Sequence, residues 1–509
     1  MRITRRAFAL TLVAATAVAV SATAVAGDNG SGFKTTAAAQ LTAVKAGVEV
    51  TPILTVGESL HGGYVFESIP DGIAFKNRGR SRTDVYVNHE TSTVPFPFTA
   101  ATGVGFNDFT NAMVSKLTLD RHSAGVLRGS YVIPSEANYQ RFCSSFLATR
   151  EHGFERDILF ANEEATDVVN RTGTAWPATP GNGSNPEQAG VVVAYDVKSG
   201  DYKAIYGMGR HNHENSVALP GYGEPVVLSG DDTFSAPASQ LYLYNADSSA
   251  QLWGDHGRLY AFKSDNAAVN DYGDISGTQT VAGRFIAVPE EIAKGDQTAL
   301  ENWSNANNVF QFIRVEDIAY DRNHPNVVYF ADTGEPRALP DAATTRLRRG
   351  PSGTAGPYPN GRIFRIELDP SDPLATATLS VLIDSDTGGY GNVNAIHQPD
   401  NVETTANSLL IQEDPGSHNQ GATTARIWRH DLSDGTLEVI AKVDQSQRPA
   451  TPLGAWESSG IIDASAAFGS DAFLVDVQAG TLVVESEVRG TLTYEREGGQ
   501  LLLVRIPGA

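Results

Sequence analysis

The stretch Gly-Arg-Ile-Phe-Arg-Ile-Glu-Leu-Asp, residues 361–369, decides the fold class. It is a short run rich in β-branched and aromatic residues, bounded by a glycine and an aspartate, which is typical of a β-strand between turns. Related stretches occur at residues 258–263 and 425–431. A strand of this type that recurs along the chain, each time followed by a turn and another strand, predicts a β-propeller.

Further strands of this kind run through the chain from residue 48 onward, with little helical periodicity. A spacing of roughly 70 residues per blade predicts about six blades. We therefore expect an all-β protein with a single β-propeller domain over residues 48–509, six-bladed, with inserted loops at residues 172–188 and 337–360. An array of two or three β-sandwich domains is the alternative. The clearest further strands are residues 84–88, 191–196, 225–229, 240–244, 327–331, 409–412, 472–477 and 501–505.

The first 26 residues predict a cleaved export signal. Basic residues precede an apolar run that ends in the small residues Ala24-Val25-Ala26, which is typical of a secretory leader. The Arg5-Arg6 pair indicates the twin-arginine form, whose export machinery moves folded chains. We predict a mature protein that begins near Gly27, has a flexible segment over residues 27–47, and works in the periplasm or outside the cell.

The composition limits the partners of the mature chain. The formal net charge is −21, and such an acidic surface disfavours nucleic acid and anionic membranes. After the leader, no apolar stretch approaches the roughly 20 residues that span a bilayer. Cys143 is the one cysteine, so no internal disulfide forms. This cysteine either packs as an inert buried side chain or supplies a thiolate. We expect a monomer.

Acidic residues follow the predicted strands at turns or begin the next segment. In a propeller, such residues from different blades converge at the mouth of the central channel. Converging carboxylates repel one another unless a cation neutralises them or their pKa values rise. Oxygen ligands suit Ca²⁺, whereas a thiolate suits iron or zinc. Any one of these acids could simply be a solvated residue in a turn. Acids that share a site with Cys143, however, predict a transition metal beside calcium. The signatures are Asn88-His89-Glu90, Glu163-Glu164, His213-Glu214, Asp231-Asp232, Glu316-Asp317, Glu413-Asp414 and Trp456-Glu457.

This ordered set resembles the PhoX family of exported alkaline phosphatases. The twin-arginine leader, the single cysteine ahead of Glu163-Glu164, and the later stretches Arg314-x-Glu316-Asp317 and Pro399-Asp400-Asn401 carry the resemblance. It implies a six-bladed propeller, Ca²⁺ and Fe³⁺ as cofactors, and phosphate monoesters as substrates. It also implies that Arg314 binds phosphate and that Cys143 binds iron. The carboxylates that it implies as metal ligands are Glu90, Glu163, Glu164, Glu214, Asp232, Glu316, Glu413, Asp414 and Glu457.

Two other classes of function stay open from the residues alone. A different calcium-dependent propeller hydrolase, such as a lactonase or a phytase-like esterase, would need the carboxylates but not the thiolate. A non-catalytic extracytoplasmic propeller that binds a protein or polymer would use the acids only as structural groups. Metal content and phosphatase activity distinguish these three functions.

Overall fold

The computed structural model describes residues 31–93, 107–169, 171, 187–233, 239–344, 346–416, 423–448, 451–490 and 492–509. The predicted leader, residues 1–26, lies outside these residues, and so does most of the predicted loop at residues 172–188. Strands dominate the described residues, and they pair almost entirely with antiparallel neighbours. The all-β prediction is confirmed.

Among the residues that the structure describes, six strands line the centre of the molecule, and we call them the inner strands. Each one contacts the next along the chain, and the last contacts the first, so that together they close a ring. From each inner strand a sheet extends outward by antiparallel pairing. This is the architecture of a β-propeller. The blade count of six stays a prediction from spacing. The inner strands are Pro70–Arg78, Phe142–Ala148, His213–Ala218, Val315–Tyr320, Pro399–Thr404 and Glu457–Asp463.

Each inner strand is followed outward by a second strand that will matter for the site. These second strands are Arg82–His89, Ile158–Glu163, Val226–Asp231, Val327–Asp332, Ser408–Glu413 and Ala472–Arg489. Two further strands complete each unit, where a unit is an inner strand together with the sheet that extends outward from it. In unit order they are Met113–Asp120 and Val126–Ile133; Val192–Asp196 and Tyr202–Ile205; Leu241–Asn245 and Arg258–Ser264; Arg362–Leu368 and Ala377–Asp384; Arg426–Asp431 and Leu437–Val443; and Leu492–Arg505 and Glu49–Thr55.

The N-terminal part of the described chain closes the ring. Glu49–Thr55 pairs with the C-terminal strand Leu492–Arg505, so both ends of the domain share one sheet. Leu41–Ala43 pairs with Leu437–Val443 at the outer edge of the preceding unit. The prediction of a flexible segment over residues 27–47 is therefore wrong for Leu41–Ala43. This short strand hydrogen-bonds to an edge that a polar, Ala-rich sequence did not reveal.

Additions to the regular units are short. Thr280–Ala287 adds an outer strand that joins the third and fourth units into one sheet. The predicted loop at residues 337–360 contains a hairpin of Ala338–Asp341 and Arg346–Arg349. The other short strands are Asn107–Asp108, Val168–Val169 and Glu187–Gln188. The α-helices are Ser249–Trp253, Glu290–Ala293, Gln297–Ala306 and Ser465–Phe468, and the 3₁₀ turns are Ser135–Ala137, Arg150–His152, Tyr206–Met208, Tyr272–Asp274 and Asp386–Gly388.

The hydrophobic core lies between neighbouring units rather than in one central mass. Between the third and fourth units, the rings of Phe312, Phe330 and Phe364 lie 5.3 Å apart in each pair. Strands buried on both faces, such as Val192–Asp196, are buried at every position. This double burial explains why the sequence shows continuous apolar runs instead of strict alternation. In the described part of the chain no helix is long and apolar enough to cross a membrane.

Candidate metal centre

Every inner strand carries a β-bulge near its start or middle. The pairing register with the second strand shifts at Pro70/Ile73, Phe142/Ser145, His213/Ser216, Val315/Ile318, Pro399/Val402 and Ser459/Ile461. A bulge leaves one extra residue unpaired and changes the direction of a side chain. Five inner strands place an acid or the cysteine at their second position, inside the bulge. These residues are Asp71, Cys143, Glu214, Glu316 and Asp400.

A second tier of acids comes from the residues that directly follow the second strands. Glu90 follows Arg82–His89, Glu164 follows Ile158–Glu163, and Asp414 follows Ser408–Glu413. Glu457 joins them as the first residue of the last inner strand. These positions face the same end of the channel as the bulges, because second strands run antiparallel to inner strands.

Together these residues form a continuous group that we call the central cluster. Among the described residues, four sets of three have ligand atoms within 4.8 Å of one another. Consecutive sets share a residue, so the eight carboxylates and the thiol form one chain of adjacent sets. The sets are Asp71-Glu90-Cys143, Cys143-Glu164-Glu214, Glu214-Glu316-Asp400 and Asp400-Asp414-Glu457.

Cys143 occupies a junction in this chain of sets. Its Sγ lies 3.3 Å from Asp71 Oδ2 and 3.1 Å from Glu214 Oε1. The Ser144 hydroxyl donates to the same Glu214 oxygen at 3.0 Å. Burial raises the pKa of the Cys143 thiol, and the charges of Asp71 and Glu214 raise it further. A thiolate at this position therefore requires a cation.

Burial and the negative charges of neighbouring carboxylates raise the pKa values of the acids in the central cluster. Burial raises the pKa of Asp71 to about 6 and, together with the charge of Asp71, that of Glu90 to about 8. Burial and neighbouring acids also raise the pKa values of Glu164, Glu214, Glu316, Asp400 and Glu457. Buried carboxylates without a counter-charge either take up protons or bind cations.

The donor set fits metal ions. Asp71 Oδ1 is buried and has no hydrogen-bond partner among the described residues, which is costly for a carboxylate oxygen unless an ion contacts it. The two sets that contain Cys143 combine sulfur with oxygen donors, as iron or zinc prefers. The two remaining sets offer only carboxylate oxygens, as Ca²⁺ prefers.

Arg314 lies beside the central cluster and is held by Asp232. Its Nε donates to Asp232 Oδ1 at 2.6 Å, and its Nη2 donates to Oδ2 at 2.5 Å. The same Nη2 lies 3.4 Å from Glu316 Oε1. Burial opposes the charge of Arg314, but Asp232 and Glu316 raise its pKa well above the ordinary value. The structure thus places Asp232, a predicted metal ligand, against the arginine and outside the four sets.

Two predicted ligands, Glu163 and Glu413, lie outside the central cluster. Glu163 accepts hydrogen bonds from Arg171 at 2.7 and 2.8 Å and from the main-chain nitrogens of Gln140 and Gly190. Glu413 accepts from Arg426 at 2.7 and 2.8 Å and from the Trp428 indole at 2.9 Å. Each is the last residue of its second strand, and its side chain binds an arginine and neighbouring groups outside the cluster. The acid that follows it, Glu164 or Asp414, belongs to the cluster instead.

The histidines of the predicted signatures are structural as well. His89 contacts Ser115 Oγ at 2.7 Å and the Ser68 carbonyl at 3.1 Å, and His213 contacts Ser229 Oγ at 2.8 Å and the Gly209 carbonyl at 3.1 Å. Burial lowers the pKa of both to about 4. Each imidazole is therefore neutral and has both nitrogens occupied.

Two cluster residues, Asp71 and Asp400, were missing from the predicted ligands. Asp71 lies in Pro70-Asp71-Gly72, which the sequence presents as a turn, yet it lies in a bulged strand. Asp400 appears only within the Pro399-Asp400-Asn401 signature. The available signal was positional, because both acids occupy the same place in their inner strands as Cys143, Glu214 and Glu316.

Fold and site together define a β-propeller with a partly to fully buried, cysteine-containing acidic centre suited to several cations. The model of the family "Alkaline phosphatase PhoX" matches residues 137–460. The chain belongs to this family, which is one of phosphoric monoester hydrolases. No curated protein sequence matches the chain.

Solved structures share the fold. PhoX of Pseudomonas fluorescens in complex with vanadate, a transition state analogue, superposes with a TM-score of 0.61 and 17% identity, over 93% of this chain and 98% of that one. The NanB sialidase of Streptococcus pneumoniae gives a TM-score of 0.41 at 9% identity, over 89% and 70% of the two chains. A GH93 α-L-arabinofuranosidase of Fusarium graminearum gives 0.38 at 8% identity, over 89% and 97%. The last two are too distant to support an argument.

Proposed function

We propose that this protein is an exported, metal-dependent phosphomonoesterase whose active site is the central cluster. The observation that carries the proposal is the convergence of eight carboxylates and one thiol at the channel, in linked sets within 4.8 Å, in a chain of the PhoX family. In the overall reaction, the phosphorus–oxygen bond of the ester breaks, the oxygen of water bonds to phosphorus, and the alcohol leaves with a proton.

We assign the cations from the donor atoms. Iron would be held by the sets that contain Cys143, with Asp71, Glu90, Glu164 and Glu214 supplying oxygen. Calcium would be held by the oxygen-only sets, which contain Glu316, Asp400, Asp414 and Glu457. Such cations, when bound, polarise phosphoryl oxygens and lower the pKa of bound water.

Arg314 would bind the phosphoryl group of the substrate. A guanidinium has a planar fork of five donors that matches phosphate oxygens, and Asp232 fixes the orientation of this fork through two hydrogen bonds. The side chain is buried, so its interaction with phosphate is weakly screened by water. Arg314 is thus the binding residue and Asp232 its positioning residue.

The route out of the cell is part of the proposal. The Arg5-Arg6 leader supports export of a folded chain through the twin-arginine machinery, to the periplasm or the medium. A centre assembled from residues between Asp71 and Glu457 requires a folded chain before it can hold metals. Because the chain would leave the cell already folded, its centre can take up metals before export.

The direct test is hydrolysis of 4-nitrophenyl phosphate by the purified protein. We expect turnover that a chelator removes and that added Ca²⁺ and iron restore. Glu214→Gln, which removes a charge shared by two sets, should abolish turnover, whereas the exposed Glu136→Gln serves as the matched control. Turnover that survives the chelator and Glu214→Gln would overturn the assignment.

The same experiment distinguishes the other two functions. A calcium-rich, iron-free protein that hydrolyses lactones or carboxylic esters but no phosphate ester would be another calcium-dependent propeller hydrolase. A protein that folds normally without any metal and turns over no ester would be a binding propeller.

A further inference from the structure

A group of arginines lies at the hairpin of Ala338–Asp341 and Arg346–Arg349. Between residues 335 and 349 the chain holds four arginines and two acids, although its overall net charge is −21. Two of these arginines converge on Glu335. Arg349 Nε lies 2.9 Å from Glu335 Oε2, and Arg337 Nε lies 3.3 Å from Oε1. Glu335 is buried, so a fixed carboxylate positions both guanidinium groups.

The segment that leads into this arginine pair is hydrogen-bonded to the main chain of Arg314. The main-chain nitrogen of Thr333, two residues before Glu335, donates to the Arg314 carbonyl at 3.0 Å. The Asp332 carboxylate accepts from the main-chain nitrogens of both Arg314 and Gly334, at 3.2 and 3.0 Å. Burial lowers the pKa of Arg349. The negative charge of Glu335 opposes this lowering, whereas the positive charges of Arg337 and Arg314 add to it. The guanidinium group of Arg349 therefore lies within range of the charges of both Arg337 and Arg314.

A cavity of about 460 Å³ opens at this arginine pair. Arg337 and Arg349 line it and remain partly exposed, at 28% and 34% of their side chains. Residues 352–356 and the exposed Tyr390 also line the cavity. The cavity has room for part of a small molecule. Two guanidinium groups and the single carboxylate of Glu335 line it, so the three side chains carry a net positive charge.

We propose that Arg337 and Arg349 bind a second anionic group on the substrate, so that the enzyme prefers phosphomonoesters whose alcohol carries another phosphate or a carboxylate. The inference rests on the proposed function, because it assigns the scissile phosphoryl group to Arg314. Arginine forks bind phosphate and carboxylate through charge-assisted hydrogen bonds. In a protein as acidic as this one, a preformed cationic pair beside the phosphate-binding residue would offset the general repulsion of a polyanionic ester.

The test compares two substrates that differ only in the second anion, propyl phosphate and propane-1,3-diyl bisphosphate. We expect the wild-type protein to show a higher kcat/KM for the bisphosphate, and the preference to decrease as salt rises. Arg349→Gln should lower kcat/KM for the bisphosphate about tenfold more than for propyl phosphate, as expected for one charge-assisted hydrogen bond. Arg349→Lys, which keeps the charge, should restore part of the preference. Arg348→Gln, the neighbouring exposed arginine of the same strand, is the matched control.

Each outcome has a definite meaning. A wild-type protein that hydrolyses propyl phosphate without preferring the bisphosphate overturns this inference whatever the variants do. An equal loss on both substrates in Arg349→Gln, or an equal change in Arg348→Gln, also overturns it. A wild-type protein that hydrolyses neither ester refutes the proposed function itself, which is a distinguishable result.

Discussion

Asp232 accepts two hydrogen bonds from Arg314, of 2.6 Å from Nε and 2.5 Å from Nη2, at the edge of the central cluster. Both side chains are buried. A buried bidentate pair fixes the plane of the guanidinium and leaves neither charge uncompensated. The acid that the sequence presents as a metal ligand is, in the structure, the group that orients Arg314, to which we assign phosphate binding.

Asp232→Asn tests this positioning role. The amide keeps the size of the side chain but loses one charge-assisted bond, so we expect kcat/KM for 4-nitrophenyl phosphate to fall by about 10- to 100-fold. Metal content should stay at the wild-type level. Asp265→Asn is the control, since Asp265 pairs with Arg284 on an exposed outer strand. A loss of iron or calcium in Asp232→Asn would instead make Asp232 a ligand.

Cys143→Ser tests the thiolate. We expect iron content and the metal–thiolate absorption to disappear together, because a neutral hydroxyl is a poor ligand for iron compared with a thiolate. Calcium in the oxygen-only sets should be retained. The measurement is metal analysis together with a visible spectrum of the purified variant. Wild-type iron content in Cys143→Ser would rule out sulfur as the iron ligand.

The neighbouring residues Glu163 and Glu164 should respond in opposite ways. Glu163→Gln breaks the buried pair with Arg171, so the free energy of unfolding should fall by about 3 kcal/mol. Folded Glu163→Gln should still bind metal. Glu164→Gln removes a cluster carboxylate, so metal content and turnover should fall while the metal-free protein stays at least as stable. Thermal melts with a chelator, paired with metal analysis, distinguish the two. If Glu163→Gln lost metal and Glu164→Gln lost stability instead, Glu163 would be the metal ligand and Glu164 the structural residue.

The stability of the metal-free protein should decrease between about pH 7 and about pH 9. Burial raises the pKa of Glu90 and of Asp108 to about 8, so these groups keep protons in the folded state that the unfolded chain has already lost. Stability therefore falls as pH rises through their folded pKa values. Buried histidines add no slope here, because their lowered pKa values, about 4 for His89 and His213, leave them neutral in both states.

Melting temperatures across this range, with and without Ca²⁺, check the pH prediction. Added Ca²⁺ should raise the melting temperature more at the alkaline end, because the cation replaces the protons. A chelated protein whose melting temperature rises with pH over the same range would contradict the account.

Much of the fold was readable from the sequence. The strands predicted at residues 84–88, 327–331 and 409–412 lie inside strands of the structure. Runs of β-branched and aromatic residues between turn residues favour a β-strand over other local structures. The outer strand Leu41–Ala43 was missed, since its pairing depends on a sheet edge formed by residues about 400 positions later.

The site could be predicted only in part, because the sequence does not show the pairing register of the strands. Glu90, Glu164 and Asp414 follow visible apolar strands, so their position at the channel could be predicted. Choosing between Glu163 and Glu164 needs the residue at which pairing ends, because a shift of one residue turns a side chain to the other face. Asp71 depends on a bulge, which no local pattern marks.

Elemental analysis of the protein exported by its own leader tests the central claim most directly. The account predicts iron and calcium bound in fixed ratios in the active wild-type protein, with the iron lost in Cys143→Ser. An active, folded protein that carries neither metal would contradict it.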